Sequence, residues 1–344
     1  MKKLLLILTS LLPVSAFGSG TPADFNAVGN CIVDDTTAMQ NWAASGGELE
    51  LTCPTSCYKV MDSISIPANT VVRGTGCAFP EIQNHADNGH VMRVYQADNV
   101  IIENVGLNGR KDLKLAYGNA LVINDSENVI IRDVKATNAR SGGIIGTNNA
   151  KYVLLQNAFV MDNNEHGVSI HDVEHFMLQN IFGRNNDAFV VNVGNNAHYN
   201  LVNSITTDVN ERELMVFSGT SKYNAVSLMS GVGTQDNGLS MSGDWNVAGI
   251  GVFRENDHNG AAVYGSNNVA GLIVARDNNE DSNGYDDLLV NTWAGSTPTE
   301  NIVVGLNGET GELDTSSVGT RVIGVLPVPV DNGTNNQIGD YINP

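Results

Sequence analysis

Residues that can move protons or hold charge recur at even intervals through the middle of this chain. Arg140, His166, Asp187, Arg212, Glu213, Asp236, Asp257 and His258 fall in polar clusters, each just before a short apolar stretch. Asn124, His171, Asn192, Ser242 and Tyr264 fall on or beside those stretches. In the run GVSIH a strand turns Val168 and Ile170 to one face, and Ser169 and His171 to the other. Lys114 and Tyr117 stand in an upstream basic insertion, GLNGRKDLKLAYGNAL. Lys114, Tyr117, Arg140, His166, His171, Asp187, Asn192 and Arg212 are therefore candidates for one shared groove. These types suit β-elimination on a uronate polymer. That reaction needs a base for the proton at carbon five, a positive group for the carboxylate, and an acid for the leaving oxygen. His171 or His166 is the candidate base, because histidine as a residue type titrates near neutrality. Lys114, Arg140 or Arg212 would neutralise the carboxylate, and Tyr117 would donate to the leaving oxygen. Asn124, Asn192, Arg212 and Tyr264 would bind the sugar. A hydrolytic alternative pairs Asp187 with Asp162, Asp208 or Asp236, the carboxylate separation deciding inversion or retention. A non-catalytic carbohydrate-binding protein is the third alternative. Against all of these, Asn and Asp in such turns commonly satisfy backbone groups, and most of the polar column is expected to do only that.

The elements that must position these residues are short and repeated. The phase of Asn128-Val129 returns at Lys151, His175, His198, Lys222, Trp245 and Asn268, in steps of 23 or 24 residues. Each unit holds an alternating apolar stretch, an Asn- and Asp-rich cluster, and a second apolar stretch. Period-two Val, Ile and Phe bounded by Gly, Asn and Asp read as strands. A fixed period in this range predicts a solenoid, because one unit cannot bury its own apolar face. The predicted fold is an all-β, right-handed parallel β-helix. The expected divisions are a signal peptide over 1–16, a cap with the first coils over 17–98, regular coils over 99–300, and a last partial coil with its tail over 301–344. In the cap, Asp34 or Asp35 would N-cap a helix over TTAMQNWAAS that stops at Gly46-Gly47 and covers the open end of the stack.

Composition narrows the setting. MKKLLLILTSLLPVSAFG has the basic start, apolar core and small-residue site of a secretory signal, too short to span a bilayer. A secreted protein, extracellular or periplasmic, is expected. The net charge is −19, which argues against nucleic acid and anionic membranes as partners. An acidic protein that acts on a polyanion needs local basic residues or a cation such as Ca²⁺. The ligands of such a metal are unknown from sequence, and no other cofactor is indicated. The partner expected is a polysaccharide, and nothing signals an oligomer, so a monomer is expected. Cys31, Cys53, Cys57 and Cys77 predict two disulfides with three connectivities open.

The segment Asp24-Phe25-Asn26-Ala27-Val28-Gly29-Asn30, then Asp34-Asp35-Thr36-Thr37-Ala38-Met39-Gln40, resembles the opening of pectate-lyase-like β-helix proteins. SIPANTVVRGTG resembles their strand, Pro-turn, strand continuation. The resemblance implies the fold and makes Asp34 and Asp35 cap residues. The coil VMDNNEHGVSIHD is similar to those of mannuronan epimerases. Their catalytic Asp-Pro-His core is absent, its positions being held by Gly143, Gly146, Thr147 and Asn148. Lys114 sits in a comparable basic insertion. Polysaccharide lyases of this superfamily share the architecture with varied catalytic sets, and polygalacturonase-type hydrolases share it too. The function expected is a lyase on an acidic polymer such as alginate, pectate or a biofilm exopolysaccharide.

Overall fold

The computed structural model describes residues 20–276 and, beyond them, 288–290, 299–307, 311–313, 318, 320–323, 330–332, 334 and 336–338. The segment expected to be a signal peptide, the residues around Trp293 and much of the C-terminal tail lie outside the described residues. Among those described, two parallel sheets of 15 and 12 strands run the length of the chain. Each regular coil gives one strand to each. The long sheet holds segments such as Glu127–Thr137, Lys151–Met161 and Glu174–Arg184. The short sheet holds Ile144–Thr147, Val168–Ile170 and Val191–Val193. Inward rows such as Ile144, Val168, Val191 and Met215 are buried, so the alternation read in the sequence is the core pattern.

Coil length is not uniform. Long-sheet register gives steps of 24 from Leu201 to Ala225, then 22 from Ala225 to Val247 and 22 from Val247 to Val269. The two missing residues come from the turn that leads from the short sheet to the long one. Eight positions separate Phe217 from Ala225, but six separate Met241 from Val247.

Two turns are held by internal amide rows. The Asn200 and Asn224 backbone N–H groups donate to the side-chain oxygens of Asn224 and Asn246, at 2.9 and 3.1 Å. Asn246 and Asn268 continue the row. On the other side of the coil, Ala139 donates to Asn163 and Asn186 to Asn210. These buried amides satisfy backbone donors that the solenoid hides from water. Beside the first row runs an exposed stack of Tyr152, His175, Tyr199, Tyr223 and Trp245, with centroids 5.1 to 6.3 Å apart. All five have φ between 55° and 60°. A left-handed backbone is costly for bulky residues, and its recurrence shows that the coil turn demands it.

The helix Thr36–Ala44 caps the N-terminal end with Met39 and Trp42 fully buried. The two aspartates divide their roles. Asp34 accepts the Thr36 N–H at 2.9 Å. Asp35 stands at the N-cap position but turns away from the helix and accepts Val28 and Gly29 N–H at 2.7 and 3.0 Å. The cysteines pair as Cys31–Cys57 and Cys53–Cys77. None of the four is free to bind zinc.

Candidate functional site

A groove of about 420 Å³ lies on the outer face of the short sheet. His166, His171 and Asn192 line it together with Ser141, Ser169 and Asn119. Three of the ten candidates are thus brought to one place. Register explains why. Ser169 pairs with Asn192, so these occupy one outward row, and His171 follows Ile170 in the next. Gly194 holds the neighbouring place in the His171 row, where a Cβ would come 3.4 Å from the His171 Cβ, so its lack of a side chain leaves that flank open. Asn192 donates to Ser169 Oγ at 3.3 Å and accepts from Ser218 Oγ at 3.1 Å.

The two histidines are not equivalent. The His166 ring stacks on Phe189 at 4.9 Å and 9°. Burial, with the positive fields of His171 and Arg212, holds His166 down to about 4. Its Nδ1 accepts a long bond, 3.5 Å, from the Phe189 N–H. A neutral imidazole that accepts at Nδ1 carries its proton on Nε2. His166 is therefore set as a hydrogen-bond donor, and His171 is the better-placed base.

Arg212 is not among the residues that line the groove; its guanidinium lies over the Phe189 ring, 5.5 Å from the centroid. It also pairs with Asp236 at 3.7 Å. The remaining candidates lie apart from the groove lining. Lys114 is buried, its ammonium donating to Asn84 Oδ1 at 2.8 Å and to the Ala86 carbonyl at 2.6 Å, and burial lowers it to about 8. It cannot reach a sugar at His171 without breaking both bonds. Tyr117 is exposed beside His90, with ring centroids 5.9 Å apart. Arg140 is exposed next to groove-lining Ser141. Asp187 is half-buried, and Asp162 and Asp208 are taken up with Asn185 and Arg184. Asn124 pairs with Thr147 in the His171 row but lies two coils away, roughly 10 Å at the spacing of adjacent strands. Tyr264 follows Val263 in the same row, four coils away on the other side, or roughly 19 Å.

Beyond Arg212, two coils from His166, the polar column holds a second cluster that the sequence did not rank above its neighbours. Glu213 is buried, with Oε1 accepting from Ser240 Oγ at 3.1 Å and Oε2 without a partner. Burial and the nearby Asp236 push its carboxyl up. Asp236 bonds His258 Nδ1 at 2.9 Å. By register Glu213 takes the place of His166, Phe189 and Asn237 in neighbouring coils, and nothing in that spacing marked it as buried.

Among the described residues, no three His, Cys, Asp or Glu side chains group as metal ligands. No step is derived through a metal ion.

Fold and groove together define a right-handed parallel β-helix protein with a polar cleft on one sheet. No protein-family model and no curated protein matches the chain. Among solved structures, it is similar to the A-modules of the mannuronan C-5 epimerases AlgE6 and AlgE4 of Azotobacter vinelandii. Both are 16% identical, with TM-scores of 0.76 and 0.75 over 94% and 93% of this chain, and 99% and 97% of those modules. It is also similar to the pre-mature gene product 12 of bacteriophage phi29, at 15% identity and a TM-score of 0.70, over 93% of this chain and 50% of that one. At these identities the likeness establishes the fold.

Proposed function

We propose that this chain is an exported enzyme that cleaves an acidic, uronate-containing polysaccharide by β-elimination in the short-sheet groove. The observation that carries this reading is the meeting of His166, His171 and Asn192 in one groove, which Glu165 and Asp172 also line. With His171 unprotonated as a base must be, Arg212 is the cation that acts on His166, in a protein with a net charge of −19. The similarity to mannuronan epimerase modules supports an alginate-like polymer, and the two disulfides support an oxidising, extracytoplasmic setting.

In this mechanism neutral His171 removes the proton at carbon five. The His166 Nε2–H stabilises the carboxylate as negative charge moves onto it, and Arg212, over the Phe189 ring, adds a longer-range positive charge. Electrons then form the double bond between carbons four and five, and the carbon-four oxygen leaves with the proton that the His171 imidazolium returns to it. Asn192 and Ser169 hold sugar hydroxyls. The extended groove suits a chain laid along the axis, one sugar being about as long as one coil. The test is absorbance of the conjugated double bond on a panel of uronate polymers. His171→Ala should lower the rate at least ~10²-fold if His171 is the base. An unchanged rate would remove it from the mechanism.

One observation favours hydrolysis as the second reading: the raised Glu213 carboxyl beside Asp236 resembles an acid and base held apart in charge. New reducing ends without unsaturation, lost in Glu213→Gln, would select it.

A further inference from the structure

The groove does not end at the histidine pair. Its outward row runs Arg93, Val122, Ile145, Ser169 and Asn192, each paired in register with the next. Arg93 thus lies three coils from Ser169, roughly 14 Å along the axis. The row beside it runs His90, Asn119, Gly142 and His166, and Asn119 lines the groove with the adjacent Ser141. The floor between is low. Gly142 and Gly143 stand there, and a Cβ at Gly143 would come 2.6 Å from the Gly167 carbonyl.

At the far end the side chains change character. Arg93 is exposed, and its Nε donates to Ser65 Oγ at 2.6 Å, which fixes the guanidinium on the sheet face. His90 Nδ1 accepts from the Asn119 N–H at 3.2 Å, so neutral His90 carries its proton on Nε2. Tyr117 leans over the His90 ring at a 57° tilt and is half exposed. Beneath them the Lys114 ammonium is held by two neutral acceptors, Asn84 Oδ1 and the Ala86 carbonyl, and by no carboxylate. Of the nearby acids, Asp112 is matched by Arg110 at 2.8 Å, and Asp87 acts on Lys114. The charged groups acting on His90 are Arg93 and Lys114, both positive. In a chain with 37 acidic and 18 basic residues, the exposed Arg93 forms no ion pair among the described residues, so its charge is open to an anion.

We propose that Arg93, His90 and Tyr117, above the fixed Lys114 charge, form an anion subsite that binds the carboxylate of a second acidic sugar of the same polymer. Arg93 forks to the carboxylate, the His90 Nε2–H adds a donor, and Tyr117 covers the sugar ring. This rests on the groove being the polymer site. It assigns Lys114 and Tyr117 to binding at a distance from the bond that breaks, and it makes the enzyme sensitive to substrate length. An oligosaccharide too short to span three coils from His171 would miss the subsite.

The experiment is calorimetric binding of graded oligouronates to the full chain carrying His171→Ala, with and without Arg93→Gln. Arg93 is exposed and bonds only through Ser65 here, so its loss should spare the fold; unchanged thermal unfolding checks this. The expected result is about tenfold weaker binding of long oligouronates in Arg93→Gln, from the loss of a charge-assisted bond. Short oligouronates should bind both chains alike, and Arg93→Lys should recover part of the loss. Equal losses for short and long ligands, or no loss for either, would overturn the subsite while leaving the groove assignment standing. Failure of the His171→Ala chain with native Arg93 to bind any oligouronate would overturn both.

Discussion

The two groove histidines look alike in sequence and differ in chemistry because of what lies behind each ring. His166 is stacked and buried, and its proton sits on Nε2; it should remain neutral at any pH well above about 4. Its depressed value means the folded protein binds fewer protons here than the unfolded chain. The stability it contributes is present above about 6.5 and is lost as pH falls from there towards 4. His166→Phe should therefore flatten the loss of thermal stability between pH 6.5 and 4, and should also slow catalysis; unfolding scans across that window check the first. Glu213 works in the opposite sense. Its raised folded value gives stability that is fully present below the ordinary glutamate range and is lost as pH climbs through the folded value. Glu213→Gln keeps a hydrogen bond to Ser240 without the buried charge, so its unfolding temperature should exceed that of the native chain increasingly as pH rises from 4 to 8. Of these residues the sequence made His171 legible, since strand alternation alone turns it outward. Lys114 could not be placed in the same way. Its role depends on Asn84 and Ala86, one coil back, and spacing along one chain does not report which carbonyls close over an ammonium.

At the scale of the coil, the period was legible because its marker residue is constrained. The position held by Tyr152, His175, Tyr199, Tyr223 and Trp245 must adopt a left-handed backbone, and the buried amide follows it from Asn200 onward. The steps near the C-terminal end were read one residue too long. Losing two residues from a turn leaves both apolar stretches intact, so the alternation gives no warning. The amide rows carry much of the coil's strength. Asn224 accepts from the Asn200 N–H and Nδ2 and donates to the Ala197 carbonyl and to Asn246. Asn224→Ala would strand several buried groups at once and should cost about 3 kcal/mol, measured by denaturant unfolding. Asn185→Ala, on the exposed side of a turn, should cost well under 1 kcal/mol.

For the whole molecule, the account joins an acidic solenoid to a polar groove with one cation, Arg212, near its histidine pair. Long-range repulsion and local attraction respond differently to salt. The first acts over distances that ions screen, and the second is partly buried and screened less. Moderate salt should therefore raise the association rate of a uronate polymer with the protein, and should leave a neutral glucan unaffected; stopped-flow mixing at two ionic strengths checks this. If cleavage needs no resident metal, thorough chelation should leave the rate on uronate substrate within a factor of about two. Solenoid architecture was legible from period and composition together, because a repeat that cannot bury itself has few other ways to fold. The substrate was not, because the same coil stack carries many chemistries and only the groove distinguishes them. The most direct measurement is the ultraviolet absorbance of alginate, pectate and biofilm exopolysaccharide incubated with the native chain and with His171→Ala. The account predicts a steady rise on at least one uronate polymer with the native chain, and almost none with the variant. A flat trace on every uronate polymer, or an equal rise from both proteins, would contradict it.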